Sequence, residues 1–260
     1  APERFRAMYD AEAIQLRPNV PAETAQRARQ NLAGYYAHVS ALDECFAVVL
    51  NALESAGVAD NTIVVLTSDH GDMLGSQGRW YKQWPWEESV HVPFLLRWPA
   101  GLGKAPRSSR TPIDAPDIMP TMLGLCGIAI PETVQGIDFS PAIRGEDEVA
   151  TDGALLTCYV PFRERDTNER CREYRGIRTD RYTYVRDLNG PWLLYDNDSD
   201  PYQLRNLVND PGSESLRMEL EGRLQRKLKF AEDTFESAAS IVEKYSIRLN
   251  EEGNPYWVGW

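Results

Sequence analysis

Residues 67–99 read TSDHGDMLGSQGRWYKQWPWEESVHVPFLLRWP, and the fold turns on what stands at each end of that stretch. Its first residue closes Thr62-Ile63-Val64-Val65-Leu66-Thr67, a β-rich apolar run of strand length that should be buried on both faces. Near its other end Val92-Pro93-Phe94-Leu95-Leu96-Arg97-Trp98 makes a second strand, with Pro93 at its start or on an edge. Upstream, Leu32, Tyr35, Val39, Leu42, Phe46, Val49 and Leu53 recur in steps of three or four, which predicts a long core-facing helix between Pro21 and Gly57. A helix that passes through the turn at Asp60-Asn61 into such a strand predicts an α/β sheet with helices packed on its faces.

Asp69 and His70 stand where the first strand ends, and ligand sites of open α/β sheets lie outside the carboxyl ends of strands. A carboxylate and an imidazole there are natural ligands for a divalent cation. Neighbours in a regular strand face apart, and Gly71 lets the chain turn so that both converge. The plainer alternative is an Asp that caps a turn beside a partly buried His. Asp72 reads as a turn or helix cap. Lys82 follows on a loop dense with Gly75, Gly78, Trp80, Tyr81, Trp84 and Trp86. It is either a solvated surface charge or, enclosed by aromatics, a binder of an oxyanion. The aromatics either stack on a sugar or aryl group or, more commonly, pack beneath the loop. Glu87 and Glu88 can cap the next element, and His91 reads as structural.

The 260 residues carry 42% apolar side chains, enough for a sizeable core, which excludes a disordered chain. Twenty-eight basic against 39 acidic residues give a net charge of −11, the wrong sign for replacing counterions on nucleic-acid phosphates. No run approaches the roughly 18 apolar residues of a membrane span. Cys45, Cys126, Cys158 and Cys171 are widely spread, form no Cys-x-x-Cys pair, and read as free buried thiols. Ala1-Pro2-Glu3-Arg4-Phe5 has neither an initiator Met nor a signal-peptide layout, as expected of a mature or truncated chain.

Downstream, residues 99–110 suit a surface loop, and Asp114 to Leu125 predicts a short helix with Ile118, Met122 and Leu125 on one side. The acidic stretch from Arg144 to Asp152 reads as a domain boundary, dividing an α/β part at 1–150 from a small α+β subdomain at 151–260. Short runs at Gly153–Tyr159, Tyr174–Arg178, Tyr182–Arg186 and Trp192–Tyr195 predict an antiparallel sheet. A single amphipathic helix from Ser213 to Lys244 should pack on it through Leu216, Leu220, Leu224, Leu228 and Ala231.

Taken in order, these motifs resemble the sulfatases of the alkaline phosphatase superfamily. The segment from Thr67 to Pro99 is similar to that family's strand ending in Ser-Asp-His-Gly, its Gly-rich loop bearing a Lys, and its following strand. Tyr35-Tyr36-Ala37-His38-Val39-Ser40-Ala41-Leu42-Asp43 resembles the preceding helix, and Asp114-Ala115-Pro116-Asp117-Ile118-Met119-Pro120-Thr121 with Gly136-Ile137-Asp138-Phe139-Ser140-Pro141 the region after it. Arg181-Tyr182-Thr183-Tyr184-Val185 and Leu194-Tyr195-Asp196-Asn197-Asp198-Ser199-Asp200-Pro201 resemble the small C-terminal sheet domain. The resemblance implies an alkaline-phosphatase-like central sheet flanked by helices and a smaller antiparallel sheet plus helix. It implies that Asp69 and His70 are two ligands of a calcium or magnesium ion and that Lys82 contacts a sulfate ester. His38 and His91 match no catalytic position.

The family's nucleophile is a Cys or Ser in a Cys/Ser-x-Pro-x-Arg motif, converted to formylglycine. None of the four cysteines here has Pro two and Arg four residues later. The expectation is therefore the C-terminal half of a sulfatase: inactive alone, in need of its N-terminal half, and acting on a small-molecule or carbohydrate sulfate ester. Two rivals stand beside it, a phosphodiester or phosphonate monoester hydrolase of the same superfamily and a non-catalytic binding or assembly subunit.

Overall fold

The computed structural model describes residues 1–162, 171–251 and 253–255. Its elements are α1 (Glu3–Arg6), α2 (Ala25–Ser55), β1 (Val64–Thr67), α3 (Glu87–Val90), β2 (Phe94–Arg97), α4 (Pro99–Leu102), α5 (Ala115–Leu125), α6 (Ser140–Arg144), β3 (Ala154–Cys158), β4 (Tyr174–Arg178), β5 (Tyr182–Asp187), β6 (Gly190–Asp196), α7 (Glu214–Phe230) and α8 (Ala238–Lys244). None of the described helices is long and apolar enough to cross a membrane. The chain divides into two compact units, one of residues 1–82 and 91–107, the other of 83–90 and 108–260. The acidic stretch at 144–152 lies within the second.

In the first unit β1 and β2 pair antiparallel, with Val64 opposite Arg97 and Thr67 opposite Phe94. Two sequence expectations fail here. Leu66 on β1 and Leu95 on β2 are exposed, so the strand is not buried on both faces. Along α2 only Ala28 and Ala37 are buried, while Tyr35, Val39, Leu42 and Val49 are exposed. The reason is how little this unit sets against them. The 31-residue α2 meets mainly α1 and short turns at 11–13, 22–24 and 59–61, and β1 pairs with β2 alone in a two-stranded sheet.

The second unit is built around a packed core. Its sheet runs β3-β4-β5-β6, every pair antiparallel. The β4–β5 turn is held by the Thr179 hydroxyl, which accepts from the amides of Arg181 at 3.2 Å and Tyr182 at 2.8 Å. Ile177, Tyr184 and Leu194 from the sheet bury against Leu220, Leu224 and Leu228, which recur every fourth residue of α7. The expected single helix to Lys244 breaks after Phe230, where Glu232 (φ 54°) and Phe235 (φ 52°) turn the chain before α8. The break lets Asp233 reach the fully buried Arg175.

Helix α5 also turns differently from its apolar spacing. Its buried side is Asp117, Thr121 and Leu125, while Ile118 and Met122 are half-buried. Hydrogen bonding decides this. Asp117 accepts from the amides of Asp114 (2.8 Å) and Ile137 (2.7 Å), and the Thr121 hydroxyl accepts from Phe139 at 3.0 Å. All four cysteines carry free thiols, but only Cys158 and Cys171 are buried; Cys45 and Cys126 are exposed. A hydrogen bond with Cys158 and burial together push the Cys171 thiol far above the usual range.

Candidate functional site

Asp69 and His70 lie two and three residues beyond the last residue of β1, Thr67. A short relay of hydrogen bonds sets their directions. The Ser68 hydroxyl donates to the His70 carbonyl at 2.9 Å, and the His70 amide donates to Asp69 Oδ1 at 3.0 Å. The same Oδ1 lies 3.3 Å from the Ser68 hydroxyl, so one carboxylate oxygen is occupied by the local chain. The other, Oδ2, stands 3.5 Å from His70 Nε2. The two side chains therefore converge, by way of a turn that takes the chain off strand geometry.

The His70 ring is oriented from its opposite edge. Nδ1 lies 2.8 Å from the Gly71 carbonyl, which can only accept, so Nδ1 carries the proton and the neutral ring keeps its lone pair on Nε2. The positive charge of the His70 ring in its protonated form, then backbone amides, hold the exposed Asp69 carboxyl below the usual carboxylate range, so it is ionised at neutral pH with the ring in either form. An anionic oxygen and an imidazole lone pair 3.5 Å apart are spaced to share one ion, given cation–oxygen distances of about 2.3–2.6 Å for calcium. Among the described residues no third His, Cys, Asp or Glu gathers with them. Calcium takes about six to eight ligands, so this pair fits as part of a ligand set.

Lys82 comes at the end of a loop folded back on itself. Met73 donates to the Tyr81 carbonyl and Gly75 to that of Arg79, both at 2.8 Å. Met73 is fully buried, and Gly75 (φ 96°) sits so near α2 that a Cβ there would lie 2.8 Å from Ala28 Cβ. The Arg27 guanidinium stacks on Trp80, 4.1 Å from the ring centre. Lys82 itself is half-buried.

Of the other candidates, Trp84 and Trp86 are buried in the second unit rather than presented to a ligand. Trp86 packs edge-on against Trp192, and its indole N–H donates to the Tyr195 hydroxyl at 3.3 Å. Glu87 stands in the first turn of α3 and also forms a bidentate pair with Arg178 at 2.7 and 3.0 Å. His38 and His91 are exposed. The residue whose part the sequence reading understated is Asp72. It caps the next turn, accepting from Leu74 at 3.0 Å, and also accepts from the Tyr81 amide at 3.1 Å. No local spacing signals that second bond.

Comparison with known proteins agrees along the chain. Residues 75–229 match the family described as N-sulphoglucosamine sulphohydrolase, C-terminal, and residues 2–128 match the family described as Sulfatase. An ulvan-active sulfatase of Formosa agariphila is 39% identical over 99% of this chain and 50% of its own length. A Bacteroides thetaiotaomicron structure solved in work on the metabolism of multiple glycosaminoglycans superposes with a TM-score of 0.79 at 31% identity, over 94% of this chain and 52% of that one. A phosphonate monoester hydrolase of Agrobacterium radiobacter gives 0.66 at 26% identity, over 88% and 46%. The chain spans about half the length of each.

Proposed function

The chain belongs to the sulfatase family, and from that premise we propose that the complete protein hydrolyses a sulfuric ester, on a carbohydrate in preference to a simple aryl alcohol. The observation that carries the reading is the convergence of Asp69 Oδ2 and His70 Nε2, with each residue's other polar atom already engaged by the chain. In this reading the two atoms are ligands of a calcium or magnesium ion. A cation held there would neutralise sulfate oxygens and acidify the attacking hydroxyl. Lys82 holds its ammonium against the oxygens of the ester, where negative charge builds as the bond from sulfur to the alcohol oxygen breaks. Overall one water is consumed: its oxygen ends on sulfur, a proton goes to the departing alcohol oxygen, and the products are the alcohol and sulfate. Asp69, held by the bond from the His70 amide to its Oδ1, needs little rearrangement to bind. The nucleophile is assigned to a formylglycine in an upstream segment, because no cysteine or serine here has Pro two and Arg four residues later.

The carbohydrate preference draws on the relatives, whose descriptions include N-sulphoglucosamine and glycosaminoglycans. The test is to assay the chain alone, and joined to its upstream segment, against an aryl sulfate and a sulfated glycosaminoglycan oligosaccharide with calcium present. Turnover only in the joined form, faster on the oligosaccharide, is expected. Metal-dependent turnover by the 260-residue chain alone would overturn the half-site reading. The likeness to a phosphonate monoester hydrolase favours a second reading, and a higher kcat/KM on an aryl phosphonate than on any sulfate would establish it.

A further inference from the structure

The loop that ends at Lys82 is built from backbone conformations that residues with side chains avoid. Leu74 (φ 46°), Gln77 (φ 55°) and Tyr81 (φ 62°) all lie in the left-handed region. Such geometry persists only where the surroundings over-determine it. One atom does so at both ends of the loop. Asp72 Oδ1 accepts from the amides of Leu74 at 3.0 Å and Tyr81 at 3.1 Å, two of the three strained residues. An Asp that merely caps a turn takes the amide two residues on, here Leu74. The bond to Tyr81, nine residues away, has a different consequence. It fixes the Trp80–Tyr81 peptide, while the bond from the Met73 amide to the Tyr81 carbonyl fixes the next one, which leads into Lys82, so the two together set both peptides that approach that residue.

We infer that Asp72 is a positioning residue for Lys82: by gripping the Leu74 and Tyr81 amides with one oxygen, it closes the loop and sets the direction in which Lys82 leaves it. This rests on the reading of Lys82 as the group that meets the ester. Asp72 acts through an acceptor oxygen rather than through its charge. Asparagine, which keeps that oxygen, therefore replaces it, and alanine does not.

The experiment uses the complete protein with its upstream segment, as wild type, Asp72→Asn, Asp72→Ala, Lys82→Ala and the double variant Asp72→Ala/Lys82→Ala. Steady-state hydrolysis of an aryl sulfate gives kcat and KM separately, and amide hydrogen exchange follows residues 72–83. Asp72→Ala should lower kcat roughly 10–100-fold with little change in KM, the scale of a misplaced reacting group. Asp72→Asn should stay within about threefold of wild type, and Asp72→Ala should add less than about threefold once Lys82 is already Ala, as expected for residues acting as one unit. Exchange at the Leu74 and Tyr81 amides should quicken in Asp72→Ala and not in Asp72→Asn. Equal losses in the Asn and Ala variants, full multiplication of effects in the double variant, or unchanged exchange in Asp72→Ala would each overturn the inference. Failure of the underlying reading looks different, because Lys82→Ala would then hydrolyse the ester as fast as wild type, or the wild type itself would turn over no sulfate ester. The exchange pattern would still decide whether Asp72 closes the loop.

Discussion

Arg175 is fully buried, and its guanidinium lies between Tyr159 and Phe235, 3.9 and 4.6 Å from their ring centres. It pairs with Asp233 and donates to the carbonyls of Cys158 (3.1 Å) and Tyr174 (2.9 Å). Removing one partner of such a pair strands the other without water. Arg175→Ala should therefore cost about 3–5 kcal/mol of unfolding free energy, read by chemical denaturation. Burial opposes the Asp233 carboxylate, but hydrogen bonds from Arg175 and the Phe235 amide outweigh it and hold the carboxyl below its usual range. The folded-state pKa is thus lower than the unfolded one. The pair's contribution is complete above the unfolded value of 3.8 and is lost as pH falls through the folded value. The stability gap between wild type and Asp233→Asn should accordingly narrow only below about pH 4. At the candidate site the contrast is chemical. In the complete protein Lys82→Ala should lower kcat/KM roughly 10²–10³-fold, the scale of one lost oxyanion contact. Asp69→Ala should weaken cation binding instead. A calcium titration of aryl sulfate hydrolysis separates them: excess cation partly restores Asp69→Ala and leaves Lys82→Ala unchanged.

Helix α5 shows how one cap can join two elements. Asp114 accepts from the Ala115 amide with Oδ1 and from the Leu155 amide on β3 with Oδ2, both at 2.8 Å, while its own amide donates to Asp117. A side chain that only caps a helix contributes about 1 kcal/mol. Here replacement by alanine also leaves the Leu155 amide without its acceptor. Asp114→Ala should therefore lower unfolding free energy by about 2–3 kcal/mol, the cap plus one stranded backbone group, again measured by denaturant titration. The sequence reading placed the helix at these residues but turned it toward the apolar Ile118 and Met122. Apolar spacing reports where greasy side chains recur, and it does not register a buried Asp and Thr whose acceptors serve backbone amides from residues 137 and 139. Helix α7 was legible because its Leu220, Leu224 and Leu228 stripe and the sheet's apolar side agree. Its end was not, since the break at 231–237 depends on Asp233 meeting Arg175, 58 positions earlier.

On the scale of the molecule the two units differ in how they use apolar surface. Leu224 is fully buried between α7 and the sheet, whereas Leu42 on α2 is 67% exposed. In the isolated chain Leu224→Ala should cost about 2–5 kcal/mol, and Leu42→Ala should stay within about 0.5 kcal/mol. Calorimetric or denaturant unfolding of both variants tests this, and a large loss in Leu42→Ala would show that the α2 stripe is covered. The sequence by itself determined the order of the longer elements, the strand end at which Asp69 and His70 stand, the loop that carries Lys82 and the antiparallel character of the second unit. Those features follow from composition and spacing within a dozen residues, which fix periodicity, turns and strand ends. Only the tertiary structure decided that the α2 stripe and β1 lie uncovered in this chain, that Trp84 and Trp86 are core, that Glu87 pairs with Arg178, and that Asp72 grips Tyr81. Each of these depends on what the fold brings, or fails to bring, against a side chain, and burial and hydrogen-bond partnership between distant residues have no periodic trace in a single sequence.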